Sequence, residues 1–423
     1  MIIAKPVIVF ILVLIFISKI SLGFLPFMPW QLGPLIYQYG MHPYINIFLS
    51  LSVGSIIILK WLIYPNHFFT QSRFFRFGVV LTSLYLLLIS FLQSAFVYSM
   101  ESLFLQMAAA ILSIFTILLF GRVIPTSIEP ERFLKYIKNI VVPLLWISLL
   151  ALFISPESAF KGSRFIGIFK HIPHMVSAAT VGCFALLYFF VKQNESKKRL
   201  IINGVNFSLA FSLLILTGTR SALASVALGV ILVAIVFPAK KTGTKILKVA
   251  FVITFCLGTL FFGDDAGQYA IEVVRGEKAI GGRVAQDGVT SRLEEFERGY
   301  LIFQKDQWLG QGLLSKFSNG SEAEVDSYDA GKDPHNIFIS AGVIGGWGLI
   351  VLTSAMLVAL VVASLKKLRS ANDAIKVLAI YTLSQIPILI IYHLHLSLGG
   401  IADRIYWIVF GYMALKESDL DKD

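Results

Sequence analysis

The chain has 423 residues, of which 57% are hydrophobic and 14% charged, with a formal net charge of +11. Its mean hydropathy is +0.78, whereas a soluble domain carries roughly a quarter of charged residues, so the composition excludes a soluble protein and defines an integral membrane one. The basic excess does not call for nucleic acid, because cytoplasmic loops of membrane proteins are enriched in Lys and Arg, and no stretch resembles a nucleic-acid module.

In chain order, apolar runs centre near Leu14, Leu51, Leu86, Ser113, Trp146, Phe184, Leu209, Leu228, Ile253, Ile350, Leu383 and Val409. Runs of roughly 17 to 25 apolar residues cross a bilayer as helices, so this pattern predicts an all-α integral membrane protein with about twelve transmembrane helices. The first run, Val7 to Phe24, follows Lys5 as a signal peptide would. Lys19 interrupts its far end and no small-residue cleavage site precedes LPFMPW, so it reads as a retained span with Lys19 snorkelling outward. No repeat or low-complexity linker divides the chain. Residues 1–423 read as a single polytopic membrane domain with one large hydrophilic insertion, 263–334, between the ninth and tenth spans. Cys183 and Cys256 lie inside apolar runs and read as small buried hydrophobes. There is no CxxC, HExxH, Walker loop or GxGxxG after a strand, and hence no cofactor or metal signature.

Orientation follows from the positive charges. Alternate connections carry Arg73 and Arg76; Arg122, Arg132, Lys135 and Lys138; Lys192, Lys197, Lys198 and Arg199; Lys240, Lys241, Lys245 and Lys248; and Lys366, Lys367 and Arg369. These face the cytoplasm with both termini, and the insertion faces outward. Two external features break the rule. One is Arg220, in the tight hairpin LTGTRSAL between the seventh and eighth spans. The other is the fifth-to-sixth link SPESAFKGSRFIGIFKHIPHM, with Lys161, Arg164 and Lys170.

Within the insertion, TSRLEEFERGYLIFQKDQWLG has Leu293, Phe296, Tyr300 and Phe303 at helical spacing. Ser291 and Glu294 fit a capping box, which would put Arg292 at the first helical position. Arg220 sits comparably, at the start of the eighth span. Two guanidiniums beside two helix N-termini suit a diphosphate, since Arg matches phosphate oxygens bidentately. The plain alternatives are that Arg220 snorkels to the interface and Arg292 pairs with Glu295. The insertion ends in DPHNIFISAGVIGGWGLIVL, placing His335 where the tenth span begins, either as a structural hydrogen-bonder or as a proton acceptor. Lys161, Arg164 and Lys170 either steer an anionic substrate or contact lipid phosphates. His171 and His174 have helical spacing, but Pro173 intervenes and no carboxylate lies near in sequence, which argues against a metal site.

At LTGTRSAL, SRLEEFERGYLIFQKDQWLGQGL and DPHNIFISAGVIGGWG the chain resembles the O-antigen ligase and O-antigen polymerase superfamily of bacterial membrane glycosyltransferases. The resemblance implies a GT-C-type fold, an undecaprenyl-diphosphate-linked glycan donor and inverting, metal-independent transfer without a cofactor. It sets this in the bacterial inner membrane, with the active site facing the periplasm. The essential arginines of the family map onto Arg220 and Arg292 and its histidine onto His335. Asn336, beside that histidine, joins Arg164, Lys161 and Lys170 as a candidate substrate-binding residue. The glycine pattern of relatives is not matched residue for residue, because Gly342, Gly345, Gly346 and Gly348 crowd the region. Lipid A-core as acceptor would make a ligase, and a second lipid-linked glycan a polymerase of O-antigen or capsule repeat units. Protein O-glycosylation is a third outcome. The single dominant loop favours the ligase. A lipid-linked oligosaccharide transporter would also be basic and many-spanned, but with repeats and midplane charges.

The orientation is testable by cysteine labelling. A cysteine at Asn319 should react with an impermeant thiol reagent from the periplasmic side. Reaction only from the cytoplasm would invert the topology.

Overall fold

The computed structural model describes residues 4–17, 19–20, 55, 59, 63, 70–96, 103–161, 164–192, 196–237, 289–313, 336–390 and 401–416. They are overwhelmingly helical. The helices are α1 (Ala4–Ile17), α2 (Arg73–Phe96), α3 (Leu103–Thr116), α4 (Pro130–Ile154), α5 (Ile172–Val191), α6 (Lys197–Leu216), α7 (Arg220–Val236), α8 (Val289–Lys305), α9 (Ile337–Lys367), α10 (Asp373–Ile390) and α11 (Ile401–Met413). Six helices among the described residues are long and apolar enough to cross a membrane: Arg73–Phe96, Gln106–Ser127, Pro130–Ile154, Ile172–Val191, Lys198–Leu216 and Ile337–Lys367. Pro6–Ile17 and Arg220–Val236 are shorter apolar helices. The runs expected near Leu51 and Ile253 lie outside the described residues. Leu84, Phe153 and Val351 are more than half exposed, as side chains facing lipid rather than water would be. The chain is an all-α membrane protein, relieved among the described residues by one two-stranded hairpin, β1 (Phe160–Lys161) with β2 (Arg164–Phe165).

Local chemistry sets the helix starts. Prolines open α4 and α5, where a missing N–H costs nothing. Ser196 caps α6 and Asn336 caps α9 through their side-chain oxygens. After α3 the helix widens into a π-helical stretch, Ile117–Val123. There the Gln71 amide donates to the carbonyls of Gly121 (2.8 Å) and Gly411 (3.1 Å). A Cβ at Gly411 would come within 2.2 Å of the Gly121 carbonyl oxygen, so α11 crosses this stretch backbone against backbone.

The connections sort into two ends of the bundle. At one, Lys416 N–H bonds Thr70 O, Tyr412 Oη donates to Ile128 O, and Lys192 pairs with Glu131. At the other, Lys170 N–H bonds Lys19 O, and the 160–165 hairpin meets the turn between α6 and α7. The first set belongs to the connections expected on the cytoplasmic side, the second to those expected outside.

The sharpest departure from regular helix lies in α9. Gly345 and Gly346 have non-helical dihedrals, with Gly346 at φ 63°, ψ −163°, a region essentially reserved for glycine. The break frees backbone groups that the turn after α8 then meets. Gln311 N–H bonds Val343 O (2.5 Å), Gly312 N–H bonds Ile344 O (3.1 Å) and Trp347 N–H bonds Gln307 O (2.9 Å). Tyr85 Oη donates to Gly345 O at 2.5 Å, and the Gln93 amide donates to Leu309 O and Ile344 O at 2.6 and 2.7 Å. Phe303 of α8 packs over Gly342, where a Cβ would lie 2.8 Å from its ring.

This junction is testable at Gly346. A Cβ there would lie 2.1 Å from Trp308 O, and the backbone conformation alone would cost a side chain roughly 1–3 kcal/mol. Gly346→Ala should lower the thermal unfolding midpoint by several degrees in detergent, an effect of about the size such an energy produces. Gly78→Ala, where nothing lies within 4 Å, should leave it unchanged or slightly raised. Equal stability of Gly346→Ala and wild type would contradict the docked turn.

Candidate functional site

Arg220 opens α7, as its place after TGT suggested. Helix α6 stops because Gly218 takes φ 63°, and Thr219, in an extended conformation, is the N-cap residue of α7. Thr217 Oγ1 donates to Leu214 O at 2.7 Å and lies 3.1 Å from Thr219 Oγ1. Thr219 makes no side-chain bond to the helix it caps. Its hydroxyl instead accepts from Arg164 Nη2 at 2.6 Å, while Arg164 Nε donates to Thr217 O at 2.8 Å. Arg220 itself is exposed at the head of the helix.

The hairpin that carries Arg164 is folded rather than loose. Ile166 and Gly167 N–H groups both bond Ala159 O, and Phe165 and Phe169 are fully buried. Lys161 lies on β1, and only its backbone is described. Lys170 goes elsewhere: its N–H bonds Lys19 O at 3.0 Å, and Phe169 bridges Ile20. Lys19 is half-buried rather than reaching outward. Burial lowers the pKa of the Lys170 ammonium. Asp403 and Arg404, at the head of α11, are 1% and 2% exposed. The His171 and His174 rings lie 5.9 Å apart, and among the described residues no three His, Cys, Asp or Glu side chains form a metal-binding group.

Beneath the Arg164–Thr219 contact lies a cavity of about 290 Å³ between α5, α7, α10 and α11. Its lining runs from Arg164, Thr219 and Ser221 at the head of α7 to Thr382 and Phe410 inside the bundle. Apolar walls, Val176, Ile388, Ile405 and Val409 among them, alternate with Thr180, Tyr381, Gln385 and Tyr406. The Thr180 hydroxyl is buried without a hydrogen-bond partner, while the Gln385 amide donates to Ser225 Oγ. A basic group at the head of a largely apolar cavity is an arrangement that suits a lipid bearing an anionic head group.

Helix α8 exists as its periodicity predicted, but begins at Val289. Ser291 is therefore inside the helix rather than its cap, and Arg292 is the fourth residue, not the first. Val289 and Thr290 extend the first turn backward, so Ser291 does not stand at the N-cap. The backbone of Arg292 is described and its side chain is not; His335 lies outside the described residues. Asn336 Oδ1 accepts from the N–H groups of Phe338 (3.0 Å) and Ile339 (3.1 Å), so that oxygen is committed to capping α9. The docked turn at 307–312 joins α8, which bears Arg292, to α9, whose cap follows His335. Sequence reasoning brought Arg164 to the site as a charge and missed its two bonds to the turn. It also passed over Asp403 and Arg404, although two charges at the head of the apolar run IADRIYWIVF were a signal.

The fold and these sites define a multi-pass, all-α membrane protein with a basic, helix-headed site over a membrane-embedded cavity. Residues 205–354, from α6 through the broken turn of α9, match the protein family described as O-antigen ligase, a match that supports the O-antigen ligase superfamily for that segment. No curated protein matches the chain. The match includes Arg220, Arg292 and His335 and supports a glycosyltransferase-type enzyme of lipopolysaccharide-related glycan transfer.

Proposed function

We propose that the protein transfers a glycan from undecaprenyl diphosphate to an acceptor hydroxyl at the periplasmic face of the bacterial inner membrane. The most favoured acceptor is lipid A-core, which makes it an O-antigen ligase. The observation that carries this reading is Arg220 heading α7 beside the cavity, on a turn gripped by Arg164. Helix N-termini and guanidiniums both favour phosphate oxygens. The reading takes the chain as one twelve-span, GT-C-type domain, with residues 263–334 forming the periplasmic loop between spans nine and ten. A transporter would also have an interrupted helix, yet the break in α9 is filled by the turn at 307–312 rather than left open to a substrate.

In this mechanism Arg220 and Arg292 hold the donor diphosphate and stabilise the charge that grows on it as the glycosidic C–O bond breaks. His335 takes the proton of the acceptor hydroxyl, whose oxygen bonds the anomeric carbon from the face opposite the leaving undecaprenyl diphosphate, inverting that centre. Lys161, Lys170 and Asn336 line the approach of the anionic substrates, while Arg164 grips the turn that carries Arg220.

Purified lipid-linked glycan offered in turn lipid A-core and a second lipid-linked glycan tests the acceptor. Product on lipid A-core is expected, and chain extension alone would make the protein a polymerase. Arg220→Lys and Arg292→Lys should each fold yet lose most transfer, because a point charge replaces a bidentate fork poorly. Near-normal transfer by either would remove that residue from the clamp.

His335→Ala should lower the rate by about 10²–10⁴-fold, the usual worth of a positioned base, with donor binding retained. Transfer by the wild type should fall as pH drops through the pKa of the histidine, because the protonated ring can no longer accept a proton. EDTA should have no effect, since the arginines supply the positive charge. Loss of folding and donor binding together in His335→Ala would make the residue structural.

A further inference from the structure

Arg164 belongs to a different connection from Arg220, 56 positions earlier in sequence, yet its guanidinium reaches the turn from which Arg220 emerges. Two of its bonds fall on Thr217 O and Thr219 Oγ1 and so straddle Gly218. Gly218 has a left-handed φ of 63°, and nothing lies within 4 Å of where its Cβ would be. Among the described residues, no side chain packs where that Cβ would point. Glycine gives the backbone here its widest freedom, and the two hydrogen bonds from Arg164 restrict it.

We propose that Arg164 is a positioning residue: its fork fixes the backbone at 217–219 and thereby aims the Arg220 guanidinium at the donor diphosphate. The inference rests on the reading above that Arg220 contacts that diphosphate. The far side of the fork is rigid enough for the task. Phe165, next to Arg164, is fully buried. Two residues on, Gly167 approaches α4 so closely that a Cβ would lie 2.6 Å from Ser148 Cβ. The hairpin thus transmits the position of α4 to the head of α7. Thr219, the residue before Arg220, spends its hydroxyl on Arg164 instead of on its own helix. That hydroxyl is the link through which the fork acts on Arg220. A cation whose work was to attract anions from solution would instead stand clear of such contacts.

The test compares wild type with Arg164→Lys, Thr219→Val, the double variant and Arg220→Lys, in transfer from purified lipid-linked glycan at low and high salt. An ammonium cannot present two fixed donors to Thr217 O and Thr219 Oγ1 at once. Misaiming a catalytic group by an ångström costs up to about 100-fold, so Arg164→Lys should lose roughly 10- to 100-fold, chiefly in kcat. Thr219→Val should lose less. The double variant should be no worse than Arg164→Lys alone, because both changes cut the same link. The loss should persist at high salt, whereas a steering charge loses its effect there. Near-normal transfer by Arg164→Lys, additive losses in the double variant, or a loss that vanishes with salt would each overturn the inference, provided that Arg220→Lys is inactive. An active Arg220→Lys would instead overturn the donor-clamp reading, and this inference with it. Thermal unfolding in detergent accompanies each assay. If Arg164→Lys no longer folds, Arg164 is a structural residue and the inference fails.

Discussion

Inside a bilayer every backbone N–H and C=O must find a partner within the protein, since there is no water to supply one. The structure depends on how that demand is met where α9 breaks at Gly345 and Gly346. An open break would leave the carbonyls of Val343, Ile344 and Gly345 without their helical partners. Each is met from outside the helix: by Gln311, by Gly312 and the Gln93 amide, and by the Tyr85 hydroxyl. Glycine is needed for the conformation and also for the approach, because the Trp308 carbonyl lies where a side chain at 346 would be. A stretch of soluble-looking sequence is thereby bolted into the membrane domain.

The consequence reaches the chemistry. Helix α8 carries Arg292 near its start and ends in the docked turn, and α9 begins immediately after His335 and Asn336. The break fixes these two helices to each other and to α2 through Tyr85 and Gln93. The second half of the site is built by a different device. The turn before Arg220 is held by hydrogen bonds from a hairpin between α4 and α5. Backbone docking and a side-chain fork thus each hold a stretch of backbone from which an arginine emerges.

Much of this was legible in the sequence because it depends on residue type and period. Apolar length located the described helices, and the spacing of Phe296, Tyr300 and Phe303 predicted α8. Arg220 stood out because a charge interrupted an apolar hairpin. What was not legible depends on contacts between distant segments. The cluster Gly342, Gly345, Gly346 and Gly348 looked like a failed family pattern, whereas it makes room for Phe303, the Trp308 backbone and Tyr85. Backbone-to-backbone bonds leave no trace in side-chain chemistry. Arg164 read as a surface charge because a fork to a carbonyl 53 residues away cannot be inferred from local spacing. The start of α8 was misplaced because a capping box is a local signal, and Val289 and Thr290 continue the helix past it.

The central claim is that Arg220, at the head of α7, receives the diphosphate of the donor lipid. A structure of the protein solved with undecaprenyl diphosphate bound tests it most directly. The account predicts phosphate oxygens within about 3 Å of the Arg220 guanidinium, the distance of a charge-assisted hydrogen bond, at the end of the cavity marked by Arg164 and Thr219. A diphosphate bound away from α7, with Arg220 turned to lipid or solvent, would contradict it.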